Sequence, residues 1–200
     1  WIFILTLQNW TISPRLYMKE FLTILFALGL FATANAQITV NKDTKMTPKE
    51  LMQLAIRLSE ENVKQGGGPF GAVIARDGKV IAAGTNRVTS DCDPTAHAEV
   101  SAIRAAAKAL GTFDLSGCEI YTSCEPCPMC LGAIYWAHLD RMYYGNDKND
   151  AARIGFDDAF IYEELSRDPS ERKLKMEELL PDEAIRAFEM WDQKSDKVEY

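Results

Sequence analysis

A chain of 200 residues suits one domain with a real core. Its apolar fraction of 47% and charged fraction of 26% exclude a disordered chain and a multispan membrane protein. A net charge of −7, with no block of Lys or Arg, argues against a broad phosphate-binding surface and hence against nucleic acid as a partner. In chain order, Met18-Lys19-Glu20 comes before "FLTILFALGLF" and then "ATANAQ". A short apolar stretch ending in Ala34-Asn35-Ala36 has the form of a signal peptide with a small-residue cleavage site. It is too short for a membrane span, which needs about 20 apolar residues. This reading removes segment 18–36, puts residues 1–17 upstream of the start, and leaves a mature chain of 37–200 without a membrane span. The protein is then periplasmic or secreted. Glu20 offsets Lys19 in the n-region, and Met46 is a second candidate start, from which the protein is cytoplasmic.

After the leader, "TPKELMQLAIRLSEENVKQ" opens with Thr47 as N-cap, Pro48 at the first helical position and Glu50 completing a capping box. Leu51, Leu54, Ala55 and Leu58 then share one face, which predicts a helix over 48–65, ended by "GGG". "PFGAVIARDGKVIAAGTN" reads as two strands around an Asp77-Gly78 hairpin turn. "TAHAEVSAIRAAAKALG" is an Ala-rich helix closed by Gly111. "CEIYTS" reads as a strand, "PMCLGAIYWAH" as a helix and "RMYYGN" as a further strand. A hairpin followed by alternating strand and helix predicts an α/β fold, a three-layer α/β/α sandwich with a mixed sheet. From about residue 151 the tail is acidic and mostly helical, with apolar points at Phe156, Phe160, Ile161, Phe188 and Trp191.

"SCEPCPMC", residues 123–130, holds three of the five cysteines, an odd and clustered set that does not form a disulfide framework. A C-x-x-C pair alone is open to three readings: a redox pair, half of a structural zinc site, or part of an active site. The chain has only two histidines, and His97 lies in "PTAHAEV". His97-Ala98-Glu99 followed by Pro126-Cys127-Pro128-Met129-Cys130 fits the H-x-E…P-C-x-x-C signature of zinc deaminases. One imidazole and two thiolates are three protein ligands for one Zn²⁺ per chain, with a fourth tetrahedral position left for water. Both ligand groups begin predicted helices, where free N–H groups and the helix dipole favour thiolate. Two thiolates cancel the metal's charge, so a nearby base is needed, and Glu99 is placed to take a proton from water and pass it to a leaving nitrogen. Cys124 is a candidate fourth ligand that would close a structural site. Against this, it ends a predicted strand and would leave Glu99 without a role. Cys92 and Cys118 read as small buried residues, and His138 as a surface residue at a helix C-terminus.

"DPTAHAEVSAIRAAAKALGTFDLSGCEIYTSCEPCPMCLGAIYWA" resembles the cytidine deaminase superfamily and, within it, the bacterial guanine deaminases. The resemblance runs from about residue 48 to Tyr200, and "GFDDAFIY" with a tail ending in Trp191 and Glu199-Tyr200 carries the narrower likeness. It implies a hydrolase of purine catabolism that converts guanine to xanthine and ammonia. Alternatives are a deaminase of adenine or cytosine, free or in transfer RNA, and a non-catalytic structural-zinc or thiol redox protein. The resemblance further implies that Asn86 lines the base pocket, that Phe70 stacks on the purine and that Asp158 faces its edge. It also implies a homodimer in which Tyr200, swapped from the neighbouring subunit, closes the site. Asp157 and Asp158 have a simpler reading as an exposed turn or helix cap.

Overall fold

The computed structural model describes residues 44–199. The expected signal segment 18–36 and Tyr200 lie outside the described residues. Helix α1, Pro48–Lys64, begins with the expected capping box: Glu50 N donates to Thr47 Oγ1, and Thr47 N donates to Glu50 Oε2 at 2.7 Å. Leu51, Leu54 and Ala55 on its apolar stripe are buried. Strands β1, Gly71–Arg76, and β2, Lys79–Thr85, form an antiparallel hairpin. Its turn residues Asp77 and Gly78 both have positive φ, 53° and 79°, the conformation that matches a two-residue turn to the strand twist.

A one-turn helix α2, Val88–Asp91, leads into the Ala-rich α3, Ala98–Leu110, which Gly111 ends in the left-handed conformation. Then come β3, Glu119–Cys124, α4, Pro128–Trp136, and β4, Arg141–Asn146. The sheet order is β2-β1-β3-β4, with β3 and β4 parallel and the other pairs antiparallel. This is the expected mixed sheet, and an α/β sandwich follows from the parity of β1. Ala72 and Ile74 join Ala98, Ala102, Ala106 and Ile134 of α3 and α4 in one buried cluster. Gly71, of the opposite parity, faces α1: a Cβ there would lie 2.5 Å from Ala55 O. Gly84 does the same for the other face, where a Cβ would lie 2.4 Å from Ala98 O. Helices thus approach both sides of the sheet at points where only glycine fits.

Short helices α5, Lys148–Arg153, and α6, Ala159–Ser166, follow, then a 3₁₀ turn at Pro169–Glu171 and α7, Pro181–Asp192. The tail is mostly helical, as its sequence implies. Its last apolar points, Phe188 and Trp191, however, are not buried against the rest of the chain. Helix α7 has no buried residue, with Phe188 73% and Trp191 43% exposed. Cys92 also departs from expectation. It is exposed rather than buried, because it closes α2 on the surface in a left-handed conformation (φ 51°), away from the core. Cys118 is buried and His138 is exposed, as expected. Among the described residues no helix is long and apolar enough to cross a membrane.

Candidate active site

Two helix starts converge at one end of the sheet. His97 is the N-cap of α3 and Cys127 the N-cap of α4, both in extended conformation, so each side chain leaves the helix axis at its positive end. His97 Nδ1 lies 3.6 Å from Cys127 Sγ and 3.5 Å from Cys130 Sγ. With Zn–S bonds of about 2.3 Å and Zn–N bonds of about 2.0–2.1 Å, a tetrahedral ion holds N and S about 3.5–3.6 Å apart. The side chains therefore already have zinc spacing. Among the described residues these three are the one group of His, Cys and acidic donors close enough to hold a metal ion.

The thiol pair is electrostatically prepared for a cation. The hydrogen bond from Cys130 and, next among the lowering contacts, that to His97 push the Cys127 thiol down to about 4. The same bond and burial push Cys130 up. Two thiols this close share one proton, and a divalent cation lets both become thiolates. His97 is raised, first by its hydrogen bond to Cys127. Cys124 stands outside the cluster. Its Sγ is 3.7 Å from Asp147 O, and burial raises its thiol to about 11, so it is a neutral side chain of the pocket wall and not a fourth ligand.

Glu99, on the first turn of α3, is 4% exposed. Thr122 Oγ1 donates to its Oε1 at 2.8 Å. Burial holds the carboxyl above the usual carboxylate range, which suits a group that must take up a proton and release it.

His97, Glu99, Cys124 and Cys127 line a cavity of about 660 Å³ that also collects Phe70, Asn86 and Asp158. Asn86 is 8% exposed at the end of β2, and its Oδ1 accepts from Val88 N. Phe70 meets Phe156 edge to face, with ring centroids 5.0 Å apart. The two acids of "GFDD" divide their work. Asp157 Oδ1 accepts from Ala159 N at 3.0 Å and so closes the turn just ahead of α6. Asp158 Oδ1 is buried without a hydrogen-bond partner among the described residues, and burial raises its carboxyl. Asp157 thus fits the exposed-turn reading, while Asp158 holds the N-cap position of α6 without a side-chain capping bond. The cavity is lined by four acids, Glu99, Glu125, Asp157 and Asp158, and by no Lys or Arg among the described residues.

Several residues that hold the site were not legible beforehand. Asn62 Nδ2 donates to Gly68 O at 2.7 Å and to Asn86 O at 2.9 Å, so one amide on α1 fixes two backbones of the pocket wall. Tyr162 Oη donates to Pro126 O at 3.1 Å and ties α6 to the turn before Cys127. Phe156 pairs with Phe70. Only Phe156 left a trace in the sequence, as an apolar point in an acidic tail.

A buried carboxylate two residues from the histidine of a one-His, two-Cys cluster, set on the helix starts of an α/β/α sandwich, defines a zinc-dependent nucleobase deaminase. The chain belongs to the family of the cytidine and deoxycytidylate deaminase zinc-binding region, which matches residues 45–146. It is 49% identical over 156 residues to the guanine deaminase of Bacillus subtilis, a match covering 78% of this chain and all of that protein. The X-ray structure of a guanine deaminase from Bacillus subtilis superimposes with a TM-score of 0.75, over 78% of this chain and 99% of that one. A guanine deaminase from Nitrosomonas europaea is 38% identical, with a TM-score of 0.55 over 56% of this chain and 66% of that one. A tRNA-specific adenosine deaminase of Agrobacterium fabrum is 49% identical over 77 residues, which is 38% of this chain and 51% of that protein.

Proposed function

We propose that the protein hydrolyses guanine to xanthine and ammonia, with His97, Cys127 and Cys130 holding zinc and Glu99 moving protons. Zinc, when bound, supplies the Lewis acidity that makes water nucleophilic near neutral pH. Glu99 takes the proton of the attacking water and delivers protons to the nitrogen that leaves C2. Phe70 offers an aromatic face to the purine, and Asn86 lines the pocket beside it.

The observation that carries guanine over other bases is the buried Oδ1 of Asp158, unpaired among the described residues. Guanine presents adjacent N1–H and 2-amino donors, which a carboxylate accepts. Adenine presents an acceptor at N1, and a buried carboxylate against a lone pair is strongly rejected. The lack of Lys or Arg in the described lining disfavours phosphate-bearing substrates, including transfer RNA. The test is Asp158→Asn, assayed on guanine and adenine. Guanine kcat/KM should fall by about 10²-fold or more, the scale set by leaving a designed hydrogen bond unmade. An unchanged guanine rate would remove Asp158 from recognition.

The exposed apolar side of α7 supports a homodimer in which the C-terminal segment crosses to the partner and Tyr200 closes the partner's pocket. The composition of residues 18–36 supports an export signal, cut after Ala36, ahead of a deaminase domain over 37–200.

A further inference from the structure

The proton shuttle assigned to Glu99 needs an orientation as well as a location, and beside contacts to its own backbone and to Cys130 its carboxyl takes a hydrogen bond from the central strand β3. Glu99 sits in the first turn of α3 on a side chain with three rotatable bonds. The strand residue that bonds to it is of the opposite kind. Thr122 is β-branched, so its χ1 is restricted. Its strand is paired on both sides, with Thr122 opposite Ala72 of β1 and opposite Tyr144 of β4. The side chain is fully buried. It points to the face that carries α3, as the clustering of Ala72 and Ile120 with Ala98 and Ala102 requires. From that fixed position its hydroxyl reaches Glu99 Oε1 at 2.8 Å across 23 residues of sequence. The same oxygen lies 3.0 Å from Cys124 O, the carbonyl that ends β3 just before the metal-ligand turn.

We propose that Thr122 is the positioning residue of the proton shuttle: its hydroxyl fixes one oxygen of Glu99 and thereby turns the other toward the reacting atoms. This rests on the assignment of Glu99 made above. The hydroxyl does not touch substrate and moves no proton to it. Its effect is on the fraction of time the carboxylate spends in the productive rotamer, which acts on turnover and not on base binding. The bond to Cys124 O gives the hydroxyl a structural alternative, a strap on the end of β3, and the two roles predict different kinetics.

Thr122→Val is isosteric and removes only the hydroxyl, while Thr122→Ser keeps it. The valine variant should lose kcat on guanine by about 10- to 100-fold, the range of a hydrogen bond to a charged group. KM and zinc stoichiometry should stay at wild-type values, and serine should restore most of the rate. In a Glu99→Gln background the valine change should cost nothing further, since the group it positions no longer accepts a proton. A wild-type kcat for Thr122→Val beside an inactive Glu99→Gln overturns this inference alone. So does a loss that appears in KM or zinc content, which marks a structural strap. Full turnover by Glu99→Gln sinks the shuttle assignment and takes this inference with it. If the valine chain does not fold, Thr122→Cys carries the test through its weak S–H donor. Its kcat should fall in the same sense, and an unchanged value overturns the inference.

Discussion

Glu99→Gln keeps the shape of the side chain and removes its ability to accept a proton. Deamination should fall by about 10² or more, the magnitude of general-base catalysis, while bound zinc stays at one per chain. Guanine assays beside metal analysis check both, and near-normal turnover would take Glu99 out of the reaction. The sulfur pair makes a second expectation. Cys127 is pushed down to about 4 and Cys130 is pushed up, so near neutral pH the pair carries one proton that zinc must displace. Zinc uptake in weak buffer should therefore release protons, and affinity should rise with pH because zinc and the proton compete for the same sulfurs. A titration with no proton release and no pH dependence would contradict the pairing. At this scale the metal ligands and Glu99 were legible because spacing alone specifies them: a residue pair two apart and a pair three apart, each opening a helix. Asn62, Thr122 and Tyr162 were not. Their roles are hydrogen bonds to groups six to thirty-six residues away, and no local pattern in a sequence encodes such a partner.

Among the elements, α3 matters most, since it carries His97 and Glu99 and lies against β2 through Gly84. A Cβ at that position would sit 2.4 Å from Ala98 O and 2.6 Å from Ala102 N, which are backbone atoms that cannot swing aside. Gly84→Ala should destabilise the fold by about 1–3 kcal/mol and, by shifting the start of α3, weaken zinc binding. Thermal unfolding with and without chelator measures both, and an unchanged Tm would show that the contact is soft. Helix α6 is tied to the metal-ligand turn by the bond from Tyr162 Oη to Pro126 O. Tyr162→Phe should raise KM for guanine several-fold, since a net hydrogen bond contributes about 0.5–1.5 kcal/mol, with zinc content unchanged. The strands and main helices were legible from caps, turn residues and apolar periodicity. The one-turn α2 was not, because Val88–Asp91 is too short to show a period. Its closing residue, Cys92, was for the same reason misread as buried.

On the scale of the whole molecule, the sheet and helices α3 and α4 bury a common core, whereas α7 buries no residue. Helix α7 presents Ile185, Phe188, Met190 and Trp191 to solvent, an apolar surface that a second subunit would cover. The proposed swap predicts a dimer in solution, and deletion of residues 195–200 should cut guanine turnover sharply without changing zinc content. Full kcat/KM in the truncated chain would make the segment only a terminus. Export predicts Gln37 as the first residue of protein recovered from its host, where a start at Met46 would show a cytoplasmic protein. The central claim is the pairing of one zinc ion with one base, and the most direct test is ammonia release by purified protein from guanine, adenine, cytosine and transfer RNA, with bound zinc measured in the same preparation. The account predicts stoichiometric zinc and release from guanine, with xanthine as the other product. Release from adenine, cytosine or transfer RNA in place of guanine, or no release from a fully zinc-loaded protein, would contradict it.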